Sequence, residues 1–135
     1  MDTALVTYTG DLECQLLHVR SGQEVRTDAP VDNKGKGSAF SPTDLLATSL
    51  AACMITTMGI VAREKDIPLN WLRARVVKHM ASDPRRVARV EVHLELDGGM
   101  LDQRQRSILE HKAHTCPVAR SLAAELEQEV HFTYR

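Results

Sequence analysis

The residues of this chain best suited to chemistry are three cysteines, Cys14, Cys53 and Cys116, and the cluster His111-x-x-His114-x-Cys116. A cysteine reacts as its thiolate, which forms most readily beside a cation or at a helix N-terminus, where backbone N–H groups lack partners inside the helix. Cys116 meets that condition on sequence alone. It precedes Pro117, a residue suited to the first helical position, so its thiol is expected at a helix N-terminus. Cys53 stands in the apolar run Leu50-Ala51-Ala52-Cys53-Met54 and by itself reads as a small buried hydrophobe. Cys14 alternates with Leu12 and Leu16 and reads as a core residue of a strand. An odd number of cysteines cannot all pair within one chain, and a reducing cytosol seldom keeps structural disulfides. A pair among these three therefore points to catalysis.

The histidine cluster has a second reading. Imidazoles three residues apart share a helix face, and with a thiolate they suit zinc. Equally, His111 and His114 in the last turn of a helix complement its negative end. His18, His79, His93 and His131 fall in predicted strands, as surface or paired side chains. Gly35-Lys36-Gly37-Ser38 lacks the spacing of a phosphate-binding loop, and no nucleophile elbow, zinc-protease or EF-hand pattern is present.

The elements that must position these groups follow from periodicity and turn signals. Ala4–Thr9 and Leu12–Leu16 read as a hairpin around Gly10-Asp11, with a third strand near Gln23–Thr27 and a mobile loop over 28–38. Ser41-Pro42-Thr43-Asp44 supplies a capping hydroxyl, a proline for the first turn and an acidic residue near the positive helix end, so a long helix is expected to about Lys65, stopped by Ile67-Pro68. Leu72–Ala81 and Val87–Asp97 flank the turn Ser82-Asp83-Pro84-Arg85, with Ala88, Val90, Val92, Leu94 and Leu96 on one face of the second arm. Asp102-x-x-Gln105 resembles a capping box opening a helix to about His114. A further helix is expected from Pro117, its stripe Val118, Ala119, Leu122, Ala123 and Leu126 facing the core, and Val130, Phe132 and Tyr134 alternate as a closing strand. The order β-β-β-α-β-β-α-α-β, with strand pairs and helices segregated, is α+β.

The 135 residues suit one domain, 1–135, with 43% hydrophobic and 26% charged residues, enough apolar material for a core and too little charge for disorder. Seventeen basic against eighteen acidic residues and 4% aromatics argue against nucleic acid or anionic lipid as partners. The uncharged stretch Leu45–Ala62 nears the length of a membrane span, but it contains Thr48, Ser49, Thr56, Thr57 and Gly59 and is bounded by charge. It is expected to be a helix buried nearly all round in a protein core, with no membrane partner. The acidic start Met1-Asp2 lacks a secretory pattern, which makes the cytoplasm the expected location.

Phe40-Ser41-Pro42-Thr43-Asp44-Leu45-Leu46-Ala47-x-Ser49-Leu50-Ala51-Ala52-Cys53, followed far downstream by Thr115-Cys116-Pro117-Val118, resembles the OsmC/Ohr family of osmotically inducible and organic hydroperoxide resistance proteins, in a Ser-Pro-Thr-Asp-Leu-Leu branch. The element order along the whole chain is similar too. The resemblance implies an intertwined homodimer with antiparallel sheets around long central helices and active sites at the subunit interface. It implies that Cys53 attacks an organic hydroperoxide and Cys116 resolves the sulfenic acid as a Cys53–Cys116 disulfide, in oxidative-stress defence. Phe40, Thr43 and Asp44 would line the substrate side, and a dithiol reductant, in some relatives a lipoylated protein, would reset the pair. No metal and no organic cofactor is implied. The family's peroxidases are further expected to carry a glutamate after the proline of the helix-start motif and an arginine in an N-terminal glycine turn. Here Thr43 and the turn Thr9-Gly10-Asp11 stand instead, leaving Arg20, Arg26, Lys34 or Lys36 as substitute cations. The residues alone favour Cys116 as the activated thiol, and the resemblance favours Cys53. An alternative is a non-enzymatic dimer of this fold that binds a small lipophilic molecule or senses redox state.

Overall fold

A computed structural model describes every residue, Met1–Arg135, as two compact units, Met1–Leu46 and Ala47–Arg135. In the first, β1 (Ala4–Gly10), β2 (Glu13–His18) and β3 (Glu24–Asp28) form an antiparallel sheet in the order β1-β2-β3. The β1–β2 turn has positive φ at Gly10, Asp11 and Leu12, a conformation that glycine and aspartate accommodate and that is unusual for Leu12. Pairing of Val6 with Leu16 and Leu16 with Val25, and of Tyr8 with Cys14 and Cys14 with Thr27, places these side chains on one face, since alternate residues share a face.

The segment after β3 is pinned rather than mobile. The Gly35 N–H donates to the Pro30 carbonyl and the Gly37 N–H to the Ala29 carbonyl, while Ser38 donates through both its backbone N–H and Oγ to the buried Asp28 carboxylate. At Gly35 a Cβ would lie 1.7 Å from the Ala29 carbonyl oxygen, so this loop path requires glycine. The sequence registers such a segment as polar and glycine-rich, but its order comes from the Asp28–Ser38 bonds.

Helix α1 (Pro42–Glu64) begins in the first unit and continues into the second. Its start is a reciprocal cap: the Asp44 N–H donates to Ser41 Oγ at 3.0 Å, and the Ser41 N–H donates to the Asp44 carboxylate at 2.9 Å. It ends one residue short of the expected Lys65, with Asp66 in the left-handed region and the Ile67 N–H bonded to the Ala62 carbonyl. The helix is not buried all round. It buries a stripe of Ala47, Leu50, Ala51, Met54, Met58, Val61 and Ala62, whereas Ala52, Thr56, Gly59 and Ile60 are exposed. Its length and hydropathy are those of a membrane span, yet they arise from an apolar core face lying opposite a second weakly polar face.

The second unit contains β4 (Leu72–Ala81), β5 (Arg86–Leu96), α2 (Gln103–His114), α3 (Pro117–Ser121) and β6 (Glu127–Tyr134). The sheet order is β4-β5-β6, with β4–β5 antiparallel and β5–β6 parallel. The parallel pair departs from all-antiparallel sheets and follows from the connection: the chain crosses back through α2 and α3 before re-entering the sheet in β5's direction. The strict alternation of β5 buries Val90, Val92, Leu94 and Leu96 completely, in one cluster with the α1 stripe and with Leu109 and Ala113 of α2. Asp102 and Gln105 form the expected capping box of α2.

Helix α3 is shorter than its apolar stripe suggested. It ends at Ser121, Leu122 is extended at φ −81° and ψ 151°, and a turn with the Leu126 N–H on the Ala123 carbonyl leads into β6. Leu122 and Leu126 still pack against the core, while Ala123 is exposed. Burial at helical spacing was met by a turn, because the chain must reverse to enter β6.

Candidate active site

Cys53 stands on α1 beside the buried stripe and is half-buried, with its carbonyl accepting a hydrogen bond from Thr57 Oγ1 at 2.8 Å. Cys116 is the N-cap of α3, with Pro117 at the first helical position, and is completely buried in the core cluster. The fold brings the two segments together: the Val118 N–H, 65 positions along the chain, donates to Cys53 Sγ at 3.5 Å. All three cysteines are free thiols.

The surroundings of Cys116 work against the activation expected from its place at a helix N-terminus. Burial pushes its pKa above the ordinary thiol value, and the neighbouring Cys53 sulfur pushes the same way; the N–H groups of Ala119 and Val118 pull it down less. The helix N-terminus is there as expected, but desolvation of a fully buried thiolate outweighs it. Of the two residues Cys116 is completely buried and Cys53 half-buried.

The other candidate residues stand in the first unit. Ser41 is buried and its Oγ lies 3.2 Å from Thr43 Oγ1; Asp44 caps the helix as described; Phe40 is half exposed, its carbonyl accepting the Asp28 N–H. Arg26 and Lys36 are engaged by carboxylates. Arg26 donates to Glu13 at 2.6 Å and to Ser38, and Lys36 to Asp11 at 3.0 Å and Glu13 at 3.2 Å, which holds the Lys36 proton more firmly than usual. Arg20 and Lys34 are exposed. Cys14 is half-buried rather than in a core: it lines an apolar cavity of about 230 Å³ with Val6, Leu16, Thr27, Pro42 and Leu45, because the three-stranded sheet has little of its own unit to cover this face.

The zinc reading finds no geometric support, since no three His, Cys, Asp or Glu side chains stand together as metal ligands. His114 packs edge-on against Phe132 at 5.7 Å, and Cys116 is buried in the core cluster. Two features escaped the sequence reading. One is the Val118 N–H, which follows from Pro117 at the first helical position and was open to inference. The other is a polar network on the sheet of the second unit: Glu91 accepts from His79 at 2.5 Å, His93 at 3.0 Å and Arg89 at 3.1 Å, and Arg89 also bridges to Glu129 at 2.7 Å. His93 stacks on His131, their ring centroids 4.8 Å apart, because the parallel register sets them side by side.

The sequence matches the family model described as OsmC-like protein over residues 35–131, a span that contains both cysteine segments. Among solved structures, a Psychrobacter arcticus 273-4 protein described as an osmotic stress induced and detoxification response protein is 49% identical, with a TM-score of 0.92 over 98% of this chain and 96% of that one. An organic hydroperoxide resistance protein OsmC from Legionella pneumophila is 20% identical, with a TM-score of 0.77 over 98% of both chains. One from Elizabethkingia anophelis is 18% identical, with a TM-score of 0.78 over all of this chain and 98% of that one. These two share the fold. No curated protein matches the chain. With a family model spanning most of its length and a relative of nearly half identical sequence, the chain belongs to the OsmC-like protein family.

Proposed function

We propose that this protein is a thiol-dependent reductase of organic hydroperoxides. The observation that carries this reading is the seating of the Cys116-Pro117-Val118 segment on Cys53, through the Val118 N–H to Cys53 Sγ bond at 3.5 Å. A half-buried sulfur and a buried thiol two residues from the N–H that meets it suit a two-step cycle. The Cys53 thiolate attacks the O–O bond of ROOH; with one proton taken up, ROH leaves and Cys53 becomes a sulfenic acid. Cys116 then condenses with it, forming the disulfide and releasing water before further oxidation can occur. A dithiol, such as a lipoyl group carried by a protein, returns both thiols by exchange and is itself oxidised to its disulfide. The names of the Legionella and Elizabethkingia proteins agree with this chemistry.

On this reading the whole chain acts as one domain, Phe40, Thr43 and Asp44 contribute to the substrate side, and the cycle runs in the cytoplasm. The working unit is a homodimer. Support comes from two apolar surfaces: the exposed Ala52, Thr56, Gly59 and Ile60 along α1 and, in the first unit, the exposed Val6, Tyr8 and Val25. A second reading is favoured by the apolar cavities of the first unit, about 230 and 260 Å³, which would suit binding of a small lipophilic molecule without turnover.

Titration of the reduced protein with one equivalent of an organic hydroperoxide, following free thiols and intact mass, separates the two. The reductase loses two thiols as a Cys53–Cys116 disulfide, Cys116→Ser accumulates a trappable sulfenic acid, and Cys53→Ser does not react. Slow oxidation without selectivity for Cys53 overturns the proposal in favour of ligand binding.

A further inference from the structure

Strand β6 packs Val130, Phe132 and Tyr134 against the core, and alternation places Gln128 on that same face, where it pairs in register with the fully buried Val90. Gln128 is the polar exception on an apolar face. Its Nε2 donates to the Ala119 carbonyl of α3 at 3.0 Å. Helix α3 has only five residues, too few to hold its own place, and its last carbonyls lack partners within it. Arg120 makes the segment one piece: its backbone N–H donates to the Cys116 carbonyl at 3.1 Å and its Nε to the Thr115 carbonyl at 2.9 Å. That piece is tied to distant parts of the chain through the Val118 N–H on Cys53 Sγ at 3.5 Å and through Ala119 on Gln128. The first tie ends on the sulfur that reacts, so oxidation of Cys53 alters it. The second touches neither cysteine.

We propose that Gln128 is a positioning residue for disulfide closure: by holding Ala119 it keeps the segment that carries Cys116 seated at Cys53 while the Cys53 sulfur changes. This rests on the reading of Cys53 and Cys116 as a disulfide-forming pair and names the residue that sets how readily they close. Once formed, the Cys53–Cys116 bond holds the segment by itself, so losing the Gln128 tether frees the dithiol form more than the disulfide form. A side chain that only stabilises the fold favours both forms alike and leaves their ratio unmoved.

The test equilibrates wild type, Gln128→Met and Gln128→Glu at neutral pH in glutathione buffers of stepped composition. There the two protein thiols are oxidised to the disulfide as oxidised glutathione is reduced to two thiols. Neither variant has a side-chain donor: methionine keeps the length, and an ionised glutamate keeps the shape. Acid quenching, alkylation, intact mass and peptide mapping give the ratio of dithiol to disulfide and separate Cys14. Far-UV circular dichroism checks folding, and one folded variant suffices. The effective concentration of the pair is expected to fall by roughly threefold to tenfold, the worth of one hydrogen bond. An unchanged value in a folded variant overturns the proposal and leaves Gln128 as a cap on α3. A wild type that forms no Cys53–Cys116 disulfide overturns the pairing on which the proposal rests. Hydroperoxide takes no part in this equilibrium, so failure of the reductase reading and failure of this one are read apart.

Discussion

Ser41 and Asp44 each hold the other's backbone: the hydroxyl of Ser41 accepts the Asp44 N–H at 3.0 Å, and the carboxylate of Asp44 accepts the Ser41 N–H at 2.9 Å. The motif residue Asp44 thus has a structural task at the head of α1. Ser41→Ala is expected to lower stability by about 0.5–2 kcal/mol, read as the urea midpoint, because a buried N-cap loses its acceptor. Asp44→Asn keeps an acceptor oxygen and should cost less. If Asp44 also serves substrate, as proposed, Asp44→Asn weakens hydroperoxide consumption by more than its small stability loss explains.

Leu94 is fully buried in the core cluster, whereas Val77 on the neighbouring strand is 40% exposed. Leu94→Ala should destabilise by about 2–5 kcal/mol through lost burial and the cavity left behind. Val77→Ala should stay within about 0.5 kcal/mol of wild type, as exposed substitutions usually do. Equal losses in denaturant unfolding would contradict the placement of β5 at the centre of the unit.

Ile60 is 53% exposed on an apolar strip of α1. If a second copy covers that strip, Ile60→Glu places a charge in the interface and should shift sedimentation from dimer to monomer at micromolar protein, with circular dichroism unchanged. A wild-type protein that sediments as a monomer removes the basis for the dimer.

The carboxyl of Glu91 is held down to about 2, chiefly by hydrogen bonds from His93 and His79, with the charges of His79 and Arg89 adding to them. A carboxylate accepts only, so both imidazoles present an Nε2–H to it. Because the folded-state pKa lies below the ordinary 4.5, the unfolded chain binds this proton first as pH falls. The stabilisation is complete above 4.5 and fades toward pH 2. Glu91→Gln should therefore be less stable than wild type near neutrality, with the gap closing in acid. A gap that is constant with pH would show that the bonds do not depend on the charge.

Much of this architecture is local and could be read from residue order. The cap Ser41-Pro42-Thr43-Asp44, the box Asp102–Gln105 and the alternation of β5 are each determined by neighbours within a few positions, and the structure has all three where the sequence places them. The three-residue reach of a cap and the two-residue period of a strand leave their marks in residue order, whereas Cys53 stood out only through the family resemblance.

What the sequence determined by itself was therefore the elements and the residues able to do chemistry; what the tertiary structure decided was which segments meet and how deeply each residue is buried. The meeting of Cys53 with the Val118 N–H spans 65 positions. The raised pKa of Cys116 depends on how far the core closes over it. The parallel return of β6 aligns His93 with His131, and the turn after Ser121 cuts α3 short to allow that return. Burial and long-range register are sums over distant parts of the chain, and a thiol's acidity follows from burial more strongly than from its place at a helix end.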